Sequence, residues 1–279
     1  RAYREFYKAQ GDRDFFGLRD FFGLVKDLDR HCLLQGSLTT KMLFLCIEHN
    51  FGGLPGMPED IINRISKHTS IPLTNLASTD PWSLLEGNLR EPAARHLMLL
   101  TRNNAALGML ASKGIVNNSQ VEFVFGSEFP ADNTDLHICK DIMLVRSCME
   151  TGRIAVLVHC DNIFESLYDV LNQHYTRING NRYSRLVLGS NFKQCVVHER
   201  FRIIVVVSCE EAWKKMHTPF LNRFEKHVLL WRDILTPFQE ELLTILEKRV
   251  SEFVLRVKKF FKADDKIVVC FDVVFHVMT

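Results

Sequence analysis

The sequence predicts an α/β protein, with a largely parallel sheet set between two helical stretches. Three observations carry this expectation. Residues 1 to about 90 show no strand-like alternation, whereas from about 93 to 235 short apolar runs alternate with amphipathic helices, and at Thr236 a helix-start signal opens another helical stretch.

Taken in order, apolar spacing predicts helices over 18–29, 39–50 and 59–68, the last following the turn LPGMP. The runs HLMLLT (96–101), VEFVF (121–125), IAVLV (154–158) and FRIIVVV (201–207) read as strands, near-continuous apolar segments of the kind a parallel sheet buries on both faces. Between them NAALGMLA, TDLHICKDIMLVRSCME (134–150) and IFESLYDVLNQH (163–174) read as helices, and RYSRLVLGSNFKQCVV as a hairpin. In Thr236-Pro237-Phe238-Gln239, Thr can cap, Pro suits the first helical position and Gln falls where a capping box needs it. Apolar Leu242, Leu246, Val250, Phe253, Val257 and Phe260 then recur at helical spacing.

A chain of 279 residues suits roughly two domains of ~100–200 residues each. With 47% hydrophobic and 24% charged residues the composition is that of an ordinary globular protein. A formal net charge of +2 supplies no field to draw nucleic acid or an anionic membrane, and Trp82, Trp213 and Trp231 are too scattered to form a stacking platform. Eight cysteines occur without a C-x-x-C pair, so they read as reduced, mostly buried thiols. The adjacent pairs His31-Cys32 and His159-Cys160 lack two further ligands, and no metal site is expected. His198, Glu199, His217 and His227 have no partner at fixed spacing, and Asp169 reads as a solvated or capping carboxylate. Asn117-Asn118-Ser119 reads as a polar turn, and no run approaches the ~18 apolar residues of a membrane span. Both ends read as cut from something longer. Arg1 stands inside a helix-like run, and the apolar tail KIVVCFDVVFHVMT lacks an amphipathic helix pattern and, if exposed, is an aggregation hazard.

Two segments carry the chemistry. In HERFRIIVVVSCEEAWKKMHTPFLNRFEKHVLL (198–230) an apolar strand ends at Ser208, a short helix follows, and P-x-L-x-R-F-E runs from Pro219 to Glu225. This resembles the sensor 1 strand and arginine-finger segment of AAA+ ATPases, particularly the single-chain rings of the midasin and dynein type. The longer words FGSEFPADNTDLHICKDIMLVRSCMETGR, NIFESLYDVLNQHY, PFLNRFEKH and FFGLRDFFGLVK are similar to the AAA+ core of the mysterin family of giant ubiquitin ligases, in the expected order over most of residues 13–250.

That resemblance implies a three-layer αβα core of AAA+ type at 93–235, preceded at 1–90 by the all-helical lid of one module and followed at 236–279 by the start of a second lid. It also implies neighbouring AAA+ modules in the same chain, ATP and Mg²⁺ at the site of a neighbouring module, and zinc-dependent ubiquitin-transfer elements elsewhere. Ubiquitin and a ubiquitin-conjugating enzyme are the partners it implies, and the cytosol, with lipid-droplet association, the location. Arg223 becomes the arginine-finger candidate, a cation that stabilises charge on a transferring phosphoryl group. The alternative is a surface arginine closing a helix.

The core's own nucleotide site reads as degenerate. A phosphate loop needs G-x-x-x-x-G-K-[ST], so that backbone N–H groups and a lysine hold the phosphates, yet HLMLLT runs directly into RNNAALGML. After IAVLV the metal-binding carboxylate is expected with a Glu beside it. Only Asp161 is near, two residues out of register. Arg102 stands as a weak phosphate contact or a solvated charge.

The repeat RDFFGLRDFFGL (13–24) holds the remaining motif. Its junction spells Gly17-Leu18-Arg19-Asp20, which matches the lid's sensor 2 pattern G-x-R-[DE]. The resemblance therefore implies that Arg19 and Arg223 converge on one ATP bound by the preceding module, Gly17 and Ser208 framing the contacts. A surface arginine on an amphipathic helix is the plainer reading of Arg19, and a catalytically inert scaffold the plainer reading of the whole. In a continuous helix the two copies would face directions ~120° apart and could not share a role. Phe15, Phe16, Phe21 and Phe22 are expected in the lid core.

Overall fold

The computed structural model describes residues 2–10, 15–36, 38–68, 78–102, 105–114, 120–127, 129, 133–188 and 191–261. Arg13, the turn Asn117–Ser119 and the tail after Phe261, with Cys270, lie outside these residues. The chain divides into two compact units, Arg1–Leu229 and Leu230–Thr279.

The first unit opens with helices α1 (Ala2–Ala9), α2 (Leu18–Gln35), α3 (Thr40–Phe51), α4 (Met57–Ser66) and α5 (Pro81–Arg90). Their ends follow local chemistry. Thr39 accepts the Met42 N–H to cap α3, Asp80 accepts the Ser83 N–H before Pro81, and Gly36 closes α2 in the left-handed region that glycine tolerates. Phe15 and Phe16 of the first copy of the repeat precede the cap at Gly17, whereas Phe21 and Phe22 of the second lie within α2, so a helix start separates the two phenylalanine pairs. Phe15 and Phe16 are buried and Phe21 packs against the core, but Phe22 is exposed, against the expectation for all four.

The α/β part follows as β1 (His96–Thr101), α6 (Ala105–Ser112), β2 (Val121–Phe125), α7 (Asp135–Thr151), β3 (Ile154–Val158) and α8 (Tyr168–Leu171). The hairpin strands β4 (Thr176–Ile178), β5 (Asn181–Leu188) and β6 (Asn191–Val196) come next, then β7 (Arg202–Ser208), α9 (Cys209–Lys214), α10 (Thr218–Leu221) and β8 (Phe224–Val228). Strands β2-β3-β7-β1-β8 form one sheet in that order, all of its pairings parallel, and β4-β5-β6 form a separate antiparallel sheet. Every residue of β1 is buried, as are all of β7 except Ser208, which explains their unbroken apolar sequence. Gly126, just past β2, has no room for a side chain: a Cβ there would stand 1.7 Å from the His159 carbonyl oxygen.

The expected helix over 163–174 is broken. A 3-10 turn at Asp161–Ile163 leads through turns to the short α8, and the Ser166 carbonyl accepts the Val187 N–H of β5 at 3.1 Å. A continuous helix would have used that carbonyl for the Val170 N–H, so the hairpin takes a bond the helix needed. Asp169 is correspondingly buried, not solvated. Its carboxylate accepts from Arg185 at 2.6 Å and lies 3.5 Å from His174.

In the second unit α11 (Pro237–Phe261) starts with the expected capping box. The Thr236 N–H donates to Gln239 Oε1 at 2.8 Å, and the Gln239 N–H returns to Thr236 Oγ1 at 3.3 Å. No helix among the described residues is long and apolar enough to cross a membrane.

His96, at the start of β1, ties three elements together. Its Nδ1 accepts the Ile203 N–H at 3.1 Å and its Nε2 faces the Val170 carbonyl at 3.2 Å, which fixes a neutral ring protonated on Nε2. Burial above all, with the charge of Arg202 adding to it, pushes its pKa from 6.5 down to about 3. Across that window the unfolded chain binds the extra proton and the folded chain does not, so acidification removes stability. Urea unfolding followed from pH 6.5 to 3 is expected to show a loss of up to about 1.4 kcal/mol per pH unit from this residue. The His96→Gln variant, less stable at neutral pH, should lack that part of the slope; an unchanged slope contradicts the assignment.

Candidate functional site

The sequence around Gly17 builds an anchor before it builds a site. Asp20, fully buried in the first turn of α2, accepts the Gly17 N–H through Oδ2 at 3.0 Å. Its Oδ1 accepts from Arg95 Nη1 at 2.8 Å and from Lys226 Nζ at 2.9 Å. Lys226 is itself fully buried on β8, its ammonium 5.1 Å from the Phe16 ring centre and 5.6 Å from that of Phe15. Burial pushes its pKa down to about 8, against the opposing pull of Asp20. Two buried opposite charges that satisfy each other and further donors are costly to separate. Asp20 thus joins α2 to β8 and to the residue that leads into β1.

Gly17 leaves room for a close neighbour. A Cβ there would lie 2.3 Å from Asn222 Nδ2. Asn222 is buried, and its carbonyl accepts from Arg95 Nη1 at 3.0 Å. Arg95 therefore holds the residue after Arg19 and the residue before Arg223 with one guanidinium.

Arg19 and Arg223 line one cavity of about 840 Å³, together with Lys26, Arg30 and Arg95 and the acids Asp27, Glu91 and Glu225. Arg30 is paired with Asp27 and Glu91, and Arg95 with Asp20. Among the described residues neither Arg19 nor Arg223 has a carboxylate within ion-pair reach. Arg19 donates to Asn172 Oδ1, a neutral amide. Arg223 stacks over Tyr168, its Cζ 4.4 Å from the ring centre, and its buried Nε has no hydrogen-bond partner. Burial first, and the nearby charge of Arg19 after it, hold the Arg223 pKa below the usual arginine value, with Tyr168 opposing them. Asn172 Nδ2 and Asn222 Oδ1, on the same cavity wall, are likewise buried without partners. The site therefore offers two adjacent guanidiniums, without an anion to neutralise them, over a wall with unmet hydrogen bonds. Such an arrangement suits an oxyanion.

The other sequence candidates lie elsewhere. Ser208 ends β7 in register with Thr101 of β1, at the carboxyl end of the sheet, and Asp161 sits exposed in the 3-10 turn after β3; neither lines the cavity. Only three residues separate Thr101 at the end of β1 from Ala105 at the start of α6, and Thr101 Oγ1 accepts the Ala106 N–H at 3.2 Å, occupying a donor that a phosphate would need. Arg102 is exposed.

His227 corrects the expectation that it stands alone. Its Nε2 lies 2.7 Å from Glu225 Oε1, and His49 Nδ1, from α3, lies 2.6 Å from the same oxygen. Asn88 donates to Glu225 Oε2 at 2.7 Å. With three donors on it, Glu225 has a pKa well below the ordinary carboxylate range despite burial, while that of His49 is raised by Glu225. A contact between residues 176 positions apart leaves no trace in local spacing. The G-L-R-D word did mark Asp20, but nothing in the sequence named Lys226 or Arg95 as its partners.

The Asp20 anchor makes a measurable claim. In urea unfolding, Asp20→Asn is expected to cost about 3–5 kcal/mol, because it leaves Lys226 buried without a counter-charge. The double variant Asp20→Asn with Lys226→Met should cost less than Asp20→Asn alone. A cost under 1 kcal/mol for the single variant, by the same order-of-magnitude scale, contradicts the anchor.

A family model described as the RNF213 AAA domain matches residues 86–235. The chain is 37% identical over 249 residues to E3 ubiquitin-protein ligase rnf213-beta of Danio rerio, covering 86% of this chain and 5% of that protein. It is 33% identical over 267 residues to E3 ubiquitin-protein ligase RNF213 of Mus musculus and 32% over 266 to that of Homo sapiens, in both cases 91% of this chain and 5% of the relative. The chain thus spans about 5% of the length of the curated relatives it matches. An α/β fold with a parallel five-stranded sheet, a family-model match over more than half of the chain and this identity to its members lead to one conclusion: the chain belongs to the RNF213 AAA-domain family.

Proposed function

We propose that this segment completes the ATP site of a preceding AAA+ module and couples ATP turnover there to the conformation of the ring. In this reading residues 1–90, helices α1 to α5, belong to the lid of that preceding module and the sheet to the core of the next. Arg19 is the sensor 2 residue, contacting the terminal phosphate from the lid. Arg223 is the arginine finger, supplied by the following core. The observation that carries the reading is the pair of guanidiniums lining one cavity, neither with a carboxylate partner among the described residues. The ATP and its Mg²⁺ are held by residues of the other module. The core's own site, with only three residues between β1 and α6 where a phosphate loop would stand, does not hydrolyse ATP. In this reading the whole protein is an ATP-driven ubiquitin ligase of the cytosol, acting with ubiquitin and a ubiquitin-conjugating enzyme; the names of its relatives support the ligase part alone.

An inert scaffold is the second reading, favoured by the buried Asp20–Lys226–Arg95 cluster, which would serve a rigid joint equally well. Turnover in the full-length protein separates the two. Arg223→Ala is expected to lower the ATP turnover number by about a thousandfold or more, the usual worth of an arginine finger, and Arg223→Lys should not restore it, since lysine lacks the planar fork. Arg19→Ala should lower turnover about a hundredfold. If both alanine variants turn over ATP at the parental rate, the segment is a scaffold.

A further inference from the structure

The cluster of His49, Glu225 and His227 does work that the phosphate site does not need. Its three ligand atoms come from α3 and β8 and lie within 4.8 Å of one another. Both imidazoles aim a ring nitrogen at one carboxylate oxygen, at 2.6 and 2.7 Å. We propose that His49 Nδ1, His227 Nε2 and Glu225 Oε1 form a binding site for one divalent transition-metal ion, zinc by its donor set, which clasps α3 to the edge strand of the sheet.

Four features support the site. Two imidazoles and one carboxylate are a three-ligand set that zinc takes with a fourth, open position. The cavity lined by His49 and Glu225 gives an ion a way in and a water a place in that fourth position. Asn88 Nδ2 already orients the ligand carboxylate by donating to its other oxygen, the support such ligands ordinarily have, and its own Oδ1 is buried without a partner beside them. Asp27 and Glu48 add negative charge around His49, which favours a cation.

The chemistry balances without a co-reactant. Each imidazole turns the lone pair of the named nitrogen to the metal and carries its proton on the far ring nitrogen, and an imidazolium releases one proton to solvent. The carboxylate oxygen gives up two N–H···O bonds and gains one metal–oxygen bond. It must draw back by about half an ångström, since zinc ligands at ~2.0–2.1 Å from the ion stand farther apart than hydrogen-bonded atoms.

The test is titration of the full chain with zinc alone, followed by calorimetry and by metal content after gel filtration. One zinc per chain is expected, with a rise in thermal unfolding temperature. His49→Gln, at a side chain 20% exposed and replaced by one that still offers a donor to Glu225, is expected to remove that binding while the chain still unfolds cooperatively, and Asn88→Ala to weaken it about 10–100-fold. Cobalt substitution distinguishes the site from the free cysteines: bands of a nitrogen and oxygen site are expected, without intense thiolate charge transfer. Absence of zinc binding, undiminished binding in His49→Gln, or a cobalt spectrum dominated by thiolate each overturns the proposal.

Discussion

Everything near the candidate site depends on one buried carboxylate. Asp20 pays the cost of leaving water by accepting from Gly17, Arg95 and Lys226, and through them it fixes the start of α2, the entry to β1 and the strand β8 in one arrangement. Arg19 precedes it in sequence, and Arg223 follows Asn222, whose carbonyl Arg95 holds. The positions of both guanidiniums thus derive from a cluster neither belongs to. A short motif such as G-L-R-D then has a physical reading. Glycine permits the approach of Asn222, arginine is presented outward, and aspartate is turned inward as the anchor.

The same construction leaves the charge in an unusual state. Arg30 and Arg95 are satisfied by acids, whereas Arg19 leans on an amide and Arg223 on an aromatic face. Holding two unneutralised guanidiniums close together costs free energy, and this cost is offset when an oxyanion arrives. The His49–Glu225–His227 cluster, two of whose members line the same cavity, has the opposite character, a carboxylate crowded by donors. Helix α3 is joined to strand β8 there, as α2 is at Asp20, so the helical part and the sheet meet through polar contacts at both places.

Much of this fold was legible in the sequence. The strands at 96–101, 121–125 and 154–158 lie where their apolar runs stand; at 96–101 and 154–158 burial on both faces writes an unbroken hydrophobic word, while the edge strand at 121–125 is only half-buried. Strand β8 hid itself: Phe224-Glu225-Lys226-His227 carries three ionisable residues, and only their partners on α2, α3 and α5 make it a buried strand. The helix expected over 163–174 has the right apolar spacing, but the hairpin competes for the Ser166 carbonyl. Arg19 and Arg223 were legible as candidates from their motifs. Their shared cavity was not, and neither was the pairing of His49 with Glu225, since contacts across so many residues are set by the fold alone.

The central claim is that Arg19 and Arg223 read one terminal phosphate together. A structure of the chain joined to its preceding module, with a non-hydrolysable ATP analogue bound, tests it most directly. The account predicts both guanidiniums within hydrogen-bond reach of the γ-phosphate, with Asp20 still bound to Lys226 and Arg95. A bound nucleotide whose terminal phosphate is reached by neither arginine contradicts it.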